Sequence, residues 1–386
     1  MRVPVTPHLM RVPVTLHVMR VPVTLHVMRI RLMLYGVLLT GAATLMFMMK
    51  YTQTSIATRT RIRAMHQANV LTYVAFPEVP FSPPKEIPKF VLDIMKNATE
   101  RGWSFNQTAI KRLRLDLERE CNTSATFVIT RKNQPVNSTF KYLRGGSMRL
   151  MTPALWEKMP EDVPFARKRL KRCSIVGSST ILINSSCGEF IDSSDMIVRF
   201  NFAPMKAALA DDIGTRTTLM VANGDSIRYK FGHKVSASRF VHAVLSYGSD
   251  YSILVNPFSS KMQSGHSLLV YDRLRRRTNH TVYHFHPAWP ARTNKFWDRR
   301  RVFGRDKSTG FKIASAALVF CDEVNLLGFW PYLVDLQGRK IPFHYYEKGK
   351  HGFSKKWHNM DSEFRRLFRM YSEGIINIVT GKCKDR

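Results

Sequence analysis

The chain has 386 residues, enough for one large domain or two small ones with a sizeable core. Its 60 Lys and Arg against 28 Asp and Glu leave a formal charge of +32, which suits an acidic partner: nucleic acid, an anionic membrane or a polyanionic glycan. None of the five cysteines forms a Cys-x-x-Cys pair, which argues against a structural zinc site, and no zinc, helix-turn-helix or RNA-recognition signature accompanies the charge.

In chain order, residues 1–27 are three copies of a nine-residue unit that opens Met1-Arg2-Val3-Pro4-Val5-Thr6. A proline-bearing repeat this short has no way to bury a core, so disorder is expected. Leu32 to Met49 then runs for 18 residues without a charge, just long enough to span a bilayer as a helix. Arg29 and Arg31 precede it and Lys50 follows, so charge alone does not orient it. The run is long for the apolar core of a cleaved signal peptide, and no small-x-small site follows. The expectation is a single-pass anchor behind a short cytosolic tail.

Residues 50–110 read as a luminal stem, polar at first and then rich in proline (Pro77, Pro80, Pro83, Pro84, Pro88). Six Asn-x-Ser/Thr sequons begin at Asn97, Asn106, Asn122, Asn137, Asn184 and Asn279. Their crowding near the start of the luminal part favours a glycosylated stem and settles the orientation as type II.

Residues 90–120 read as helical, and Lys132 to Met159 as irregular. From about Phe165, short apolar runs alternate with amphipathic stretches. Strands are expected at Ser174–Val176, Met196–Phe200, Thr218–Val221, Val241–Leu245, Ile253–Val255, Val282–Phe285 and Val324–Leu327, with a helix over Phe311–Phe320. The alternation predicts an α/β domain with a mostly parallel sheet flanked by helices. In an oxidising lumen four of Cys121, Cys173, Cys187, Cys321 and Cys383 can form two disulfides. The sequence leaves the pairing open, and the odd cysteine is free or intermolecular, the second case giving a homodimer.

The stretch from Cys173 to Asn201 organises the rest. It reads as strand, Gly/Ser turn, short helix and strand, so that Gly177 and Ser178 lie where a ligand can approach the backbone and Asn201 stands at the far end of the next strand. Ligands of open α/β sheets sit at that edge. Ser308-Thr309-Gly310 opens the helix Phe311–Phe320, where unpaired N–H groups and the positive dipole end suit an anion. Trp330, after the strand Val324–Leu327, could stack on a ring or close the core. His344-Tyr345-Tyr346-Glu347 follows Pro342, and His358 precedes Glu363 by five residues. A histidine titrates near neutrality, so it can take a proton from a hydroxyl or protect a phosphate leaving group, and a nearby Glu can orient it.

These stretches, in this order, resemble the sialylmotifs L, S, III and VS of the sialyltransferases. The resemblance covers roughly residues 120–386. Gly328-Phe329-Trp330-Pro331, His344-Tyr345-Tyr346 and Cys383 are most similar to the α-2,8-sialyltransferase branch. It implies a GT-A-like variant fold and a glycosyltransferase anchored as a single-pass type II protein in the Golgi membrane. The donor would be CMP-sialic acid, the acceptor a sialylated glycoprotein or glycolipid, and the reaction an inverting displacement with no metal or other cofactor. By the same resemblance His358 is the general base and His344 stabilises the departing phosphate. Asn201, Ser178, Ser308, Thr309, Gly310 and Trp330 hold the donor, and the disulfides are Cys173–Cys321 and Cys187–Cys383, leaving Cys121 over.

The sequence departs from the family pattern at Ser178, where an Asn contact is usual, at Thr180, where Gly is usual, and at Phe200, where Cys is usual. Asn223-Gly224-Asp225 replaces Asn-Pro-Ser. Altered but retained activity is the expectation; the alternative is an inactive relative that binds glycan or a partner enzyme. Eleven Lys and Arg between Arg273 and Lys307 face only Asp298 and Asp306, a net +9. Polysialylating members carry such a stretch to hold the growing anionic chain. A generic basic surface in a basic protein is the simpler explanation of the same stretch.

Overall fold

The computed structural model describes residues 87–383 apart from 167–168, 233–236, 276 and 347–357. The repeats, the expected anchor Leu32–Met49, most of the stem and Glu347 lie outside the described residues. Among the described residues no helix is long and apolar enough to cross a membrane.

Among the described residues nine strands form: β1 (Thr139–Lys141), β2 (Met148–Leu150), β3 (Leu170–Val176), β4 (Met196–Phe200), β5 (Leu219–Ala222), β6 (Ser252–Val255), β7 (Val282–His284), β8 (Cys321–Leu327) and β9 (Asn377–Val379). β1 and β2 make a small antiparallel pair. The other seven form one sheet in the order β7-β6-β5-β4-β3-β8-β9, with every pairing parallel. Sequential strands add outward from β3 on one side, and the chain then returns to add β8 and β9 on the other. The reversal lies between β3 and β8, the position where open parallel sheets bind ligands.

The helices used below are α1 (Lys89–Arg101), α2 (Gln107–Cys121), α3 (Gly188–Asp192), α4 (Gly224–Phe231), α5 (Ala237–Leu245), α6 (Ala288–Arg299), α7 (Thr309–Phe320) and α8 (Met360–Ser372). Cys173–Val176 of β3 and Val324–Leu327 of β8 are buried at every position because both faces of a parallel sheet are covered. Helix α7 is buried along its whole length from Phe311 to Phe320, packed on α2, β3 and β8. Apart from Lys312 and Ser315, each of which has a buried polar partner, that stretch is apolar all round because no face meets water. The predicted helix over 90–120 is two helices, broken at Gly102, whose φ of +69° ends α1.

The strand expected over Val241–Leu245 is instead the end of α5. Phe240 and Val244 are both fully buried, and their four-residue spacing is that of one helical face. β9 was not expected. It is a three-residue edge strand whose Asn377 donates its amide to Asn325 Oδ1 (2.8 Å) across the buried β8–β9 pairing. The irregular reading of 132–159 overlooked the β1–β2 pair.

Two disulfides tie the sheet to its surroundings. Cys173–Cys321 joins β3 to the start of β8, and Cys187–Cys383 joins the residue capping α3 to the end of the described chain. Cys121 is fully buried as a thiol at the end of α2. Burial pushes its pKa up to about 11, so it is neither ionised nor placed to reach another chain. This corrects the intermolecular alternative. The asparagines of all six sequons are exposed.

Candidate active site

The cradle begins where β3 and β8 end side by side. Gly177 donates its N–H to the Leu327 carbonyl (2.7 Å), and Ser179 donates to that of Gly328 (3.3 Å). A Cβ on Gly177 would stand 2.4 Å from the Gly328 oxygen, and Gly328 itself has a φ of +68°. Both positions therefore need glycine: one for close approach, the other for backbone conformation. Thr180, the β-branched departure, takes no positive φ and starts the 3₁₀ turn Thr180–Leu182. The backbone freedom lost with the family's Gly is not required there.

Asn201 follows β4 with a left-handed φ of +53°, a conformation that Asn tolerates well. Its backbone N–H reaches the Val221 carbonyl (2.8 Å), and its side-chain oxygen accepts the Asn223 N–H (3.1 Å). Asn223 caps α4, accepting the Ser226 N–H (2.6 Å). The substituted Asn-Gly-Asp thus still supplies a helix cap. Arg199, by contrast, is buried and bound to the carbonyls of Arg216 (3.0 Å) and Ile213 (2.7 Å). Its work is to hold that loop, away from the cradle.

Ser308, Thr309 and Gly310 stand at the start of α7. The Ser308 hydroxyl accepts the Phe311 N–H (3.2 Å), and Gly310 packs against the Phe329 ring. Thr309 and Gly310 lie in the first turn, whose N–H groups have no intrahelical acceptor and face the positive end of a twelve-residue helix. Thr309 shares a cavity with Asn223, Asn256, Phe285, Trp289 and Lys312.

The two histidines enter from the connections on either side. The backbone of His344 bridges that of Ser179, and Tyr345 donates its N–H to the Ser178 carbonyl (3.0 Å). The His344 ring stacks on Tyr346 at 5.2 Å. Lys230 lies 6.0 Å over the Tyr346 ring and donates to the backbone carbonyls of Asn201 and Phe202. The His344 segment and Asn201 are therefore linked through one lysine. His358 is linked to α7: its Nδ1 lies 2.9 Å from the backbone carbonyl of Asp306, two residues before Ser308.

The electrostatics centre on Asp306. Burial alone would raise its pKa, but Lys312 above all, with Asn294 and Arg144, holds the carboxylate well below its ordinary range. Lys312 is buried, which lowers its own pKa against the pull of Asp306. Burial also lowers His358, against its bond to the Asp306 carbonyl, so the ring is neutral near pH 7.

Glu363 does not orient His358, as its spacing from that residue had suggested. It accepts the Ser308 N–H (2.8 Å) and hydroxyl (2.5 Å), which places the opening of α7. Burial pushes Glu363 up to about 7, against those bonds and against Lys312 and Lys307.

Trp330 lies in the core. It is 2% exposed, donates its indole N–H to the Val334 carbonyl (2.8 Å) and packs on Tyr332 and Phe364. Sequence reasoning missed Asp306, Lys230 and Asn256. Asp306 carried one legible signal, since it is one of only two acids within the +9 run.

That run is partly neutralised. Arg299 and Arg300 pair with Glu120, and Arg300 also pairs with Asp116, both acids on α2. Lys307 is buried against Asp298.

Residues 118–375 match the sequence profile of glycosyltransferase family 29 (sialyltransferase). The chain belongs to that family. This sialyltransferase is 34% identical over 289 residues to the alpha-N-acetylneuraminide alpha-2,8-sialyltransferase of Xenopus tropicalis, covering 73% of this chain and 82% of that one. It is 30% identical over 297 residues to human alpha-2,8-sialyltransferase 8E, covering 76% of this chain and 78% of that one. A crystallised mammalian sialyltransferase in complex with Gal-beta-1-3GalNAc-ortho-nitrophenol matches with a TM-score of 0.41 at 19% identity, covering 80% of this sialyltransferase and 93% of that chain.

Proposed function

We propose that the protein transfers sialic acid from CMP-sialic acid to a sialylated glycan of a glycoprotein or glycolipid, forming an α-2,8 linkage with inversion. The names of its relatives supply the linkage. The observation that carries the site assignment is the tether of His358 to Asp306, at the mouth of the helix that Ser308 opens.

A bond to a carbonyl requires the proton on Nδ1, which leaves the lone pair on Nε2. Nε2 takes the proton of the acceptor hydroxyl as its oxygen attacks the anomeric carbon. The bond from that carbon to the phosphate oxygen breaks through an oxocarbenium-like state, and the phosphate leaves with the electron pair. The first-turn N–H groups at Thr309 and Gly310 and the helix dipole stabilise that charge. His344, beside the Ser178–Ser179 turn, donates to the departing phosphate. Asn201 and Ser178 hold the donor from the strand ends. Trp330 backs the site from the core and makes no direct contact in this reading. Charge stabilisation by N–H groups and histidine lets the step proceed without a metal or other cofactor.

The GT-A-like description of the sheet, the anchor at Leu32–Met49 and a Golgi luminal setting belong to the same reading. Two disulfides and six exposed sequon asparagines support it.

One observation favours a second reading, an inactive relative that binds glycan or a partner enzyme. The Thr180 hydroxyl, added where the family has Gly, is buried without a hydrogen-bond partner among the described residues. Incubating the full-length protein with CMP-sialic acid and α-2,3-sialylated glycans separates the two. Transfer with CMP release supports the enzyme. Glycan binding with neither donor binding nor transfer supports the second reading, and the absence of both donor binding and transfer removes the enzyme reading.

A further inference from the structure

Two cations share the Asp306 carboxylate, and they differ in reach. Lys312 and Arg144 both pair with it, but the Lys312 side chain is 9% exposed and that of Arg144 35%. Two cations on one carboxylate leave the group of three with a net positive charge, and Arg144 is the member that presents it to solvent.

Arg144 is placed by its backbone. It stands in the turn of the β1–β2 hairpin, which Tyr142 closes by donating its N–H to the Ser147 carbonyl (2.9 Å). Leu143 and Arg144 donate theirs to the carbonyls of Phe258 (3.0 Å) and Ser259 (2.9 Å), in the segment that follows β6. The turn therefore lies at the sheet edge that carries Asn201 and Asn223, and Gly145, Gly146 and Ser147 continue it as an exposed run. Asp306 joins this turn to the base. Arg144 Nη2 lies 2.8 Å from its carboxylate, and His358 Nδ1 lies 2.9 Å from its carbonyl. The Arg144 charge is near enough to the imidazole to help lower its pKa. An arginine thus stands beside the base, and the mechanism above gives it no part.

We propose that Arg144 binds the carboxylate of the acceptor's terminal sialic acid and makes that negative charge a condition of transfer; this rests on the α-2,8 reading above. In that reading the hydroxyl held at His358 is O8. The side chain that bears O8 and the carboxylate stem from the two carbons flanking the sugar's ring oxygen. Seating O8 at Nε2 therefore brings the carboxylate close beside the imidazole, where a cation is needed. A guanidinium meets a carboxylate through parallel N–H bonds, which fix the orientation of the sugar as well as recognising its charge. Its several donors let it keep Asp306 while taking a second carboxylate. An acceptor without that charge loses a charge-assisted bond that the site is built to make.

The test compares two acceptors on the full-length protein in detergent: an α-2,3-sialylated glycan, and the same glycan with its sialyl carboxylate converted to the neutral primary amide. Wild type should favour the acid by about tenfold or more in kcat/KM, the scale of a hydrogen bond to a charged group. Arg144→Gln should bring that ratio close to one, chiefly by raising KM for the acid. Arg144→Lys keeps the charge without the planar fork and should give an intermediate ratio; it also carries the test if Arg144→Gln fails to fold, as thermal unfolding will show. A purely structural role, in which Arg144 only steadies Asp306, would lower transfer to both acceptors alike and leave the ratio unchanged. That result overturns the inference, as does a wild type indifferent to the amide. A wild type that transfers to neither acceptor overturns the α-2,8 reading on which the inference rests.

Discussion

His358 and Asp306 are joined through the backbone: the imidazole Nδ1 lies 2.9 Å from the Asp306 carbonyl, while the carboxylate of the same residue is clamped by Arg144 and Lys312. One aspartate therefore anchors the His358 imidazole through its carbonyl and holds two cations through its carboxylate, at the opening of α7. The two duties can be separated, because one uses the main chain and the other the side chain. His358→Ala should lower transfer by about a hundred- to ten-thousandfold. CMP affinity should stay near the wild-type value, since the imidazole is assigned to the acceptor. Parallel rate and binding measurements check this, and a matching fall in CMP affinity would return His358 to a donor-binding role.

Asp306→Asn keeps the carbonyl for His358 but leaves Lys312 and Arg144 without their counter-charge. Removing one partner of a buried pair costs about 3–5 kcal/mol, read from denaturant unfolding. The sign with pH follows from the lowered carboxylate. Its contribution is present above the ordinary Asp range and is lost as pH falls through and below it. The gap between wild type and variant should therefore close in acid. A gap independent of pH would mean that packing, not charge, carries the effect.

Glu363 behaves in the opposite sense. Its pKa is raised to about 7, so the folded protein binds a proton that the unfolded chain releases at lower pH. This group alone makes stability fall as pH rises from the ordinary Glu range to about 7. Buried His284 and His286, lowered to about 3 and about 4, contribute a slope of the other sign over much of that range. The difference in melting temperature between wild type and Glu363→Gln isolates the Glu363 term. That difference should change with pH between about 4.5 and 7 and be flat above 7. A constant offset would place the titration elsewhere.

Gly177→Ala is the sharpest test of the cradle itself. The added methyl would stand 2.4 Å from the Gly328 oxygen, a backbone atom that cannot swing aside. The expected result is a loss of about 1–3 kcal/mol or more with weakened CMP binding. A variant that melts and binds like wild type would show that the β3 and β8 ends are not in contact.

The basic stretch divides into two kinds of arginine. Arg300 packs 3.6 Å over the Phe296 ring and pairs with Asp116 and Glu120, so Arg300→Ala should lower stability by about 1 kcal/mol or less, as partly exposed pairs do. Arg301 is exposed and takes no part in those pairs. Arg301→Glu should leave the melt unchanged and weaken binding of sialylated acceptors more at low than at high salt. Salt-independent binding would make this stretch an ordinary basic surface.

How much could be read from residues alone depended on distance along the chain. β3, β4, β5, β6, β7 and β8 were legible because each is a short apolar run bounded by turn residues. α5 was misread because Val241 to Leu245 is apolar over too few residues for its period to tell helix from strand; only the burial of Phe240 beside Val244 decides it. The motif order brought Asn201, Ser308, His344 and His358 into view. It could not show that Glu363 reaches Ser308 rather than His358, because that contact crosses 55 residues and depends on how α8 lies against α7. Trp330 illustrates the same limit: an aromatic after a strand fits a ring stack or a core equally well until its indole N–H is seen on Val334.

The strand order has a further consequence for biogenesis. β4 to β7 can zip onto β3 as the chain emerges, but β3 keeps a bare flank until β8, some 150 positions later, arrives to cover it. The cradle spans that seam, with Gly177, Asn201 and Thr309 ahead of β8 in the chain and Gly328 directly after it. A nascent chain halted before β8 would display an open hydrophobic edge and no competent site, so chaperone capture, not partial activity, is the fate to look for in stalled intermediates.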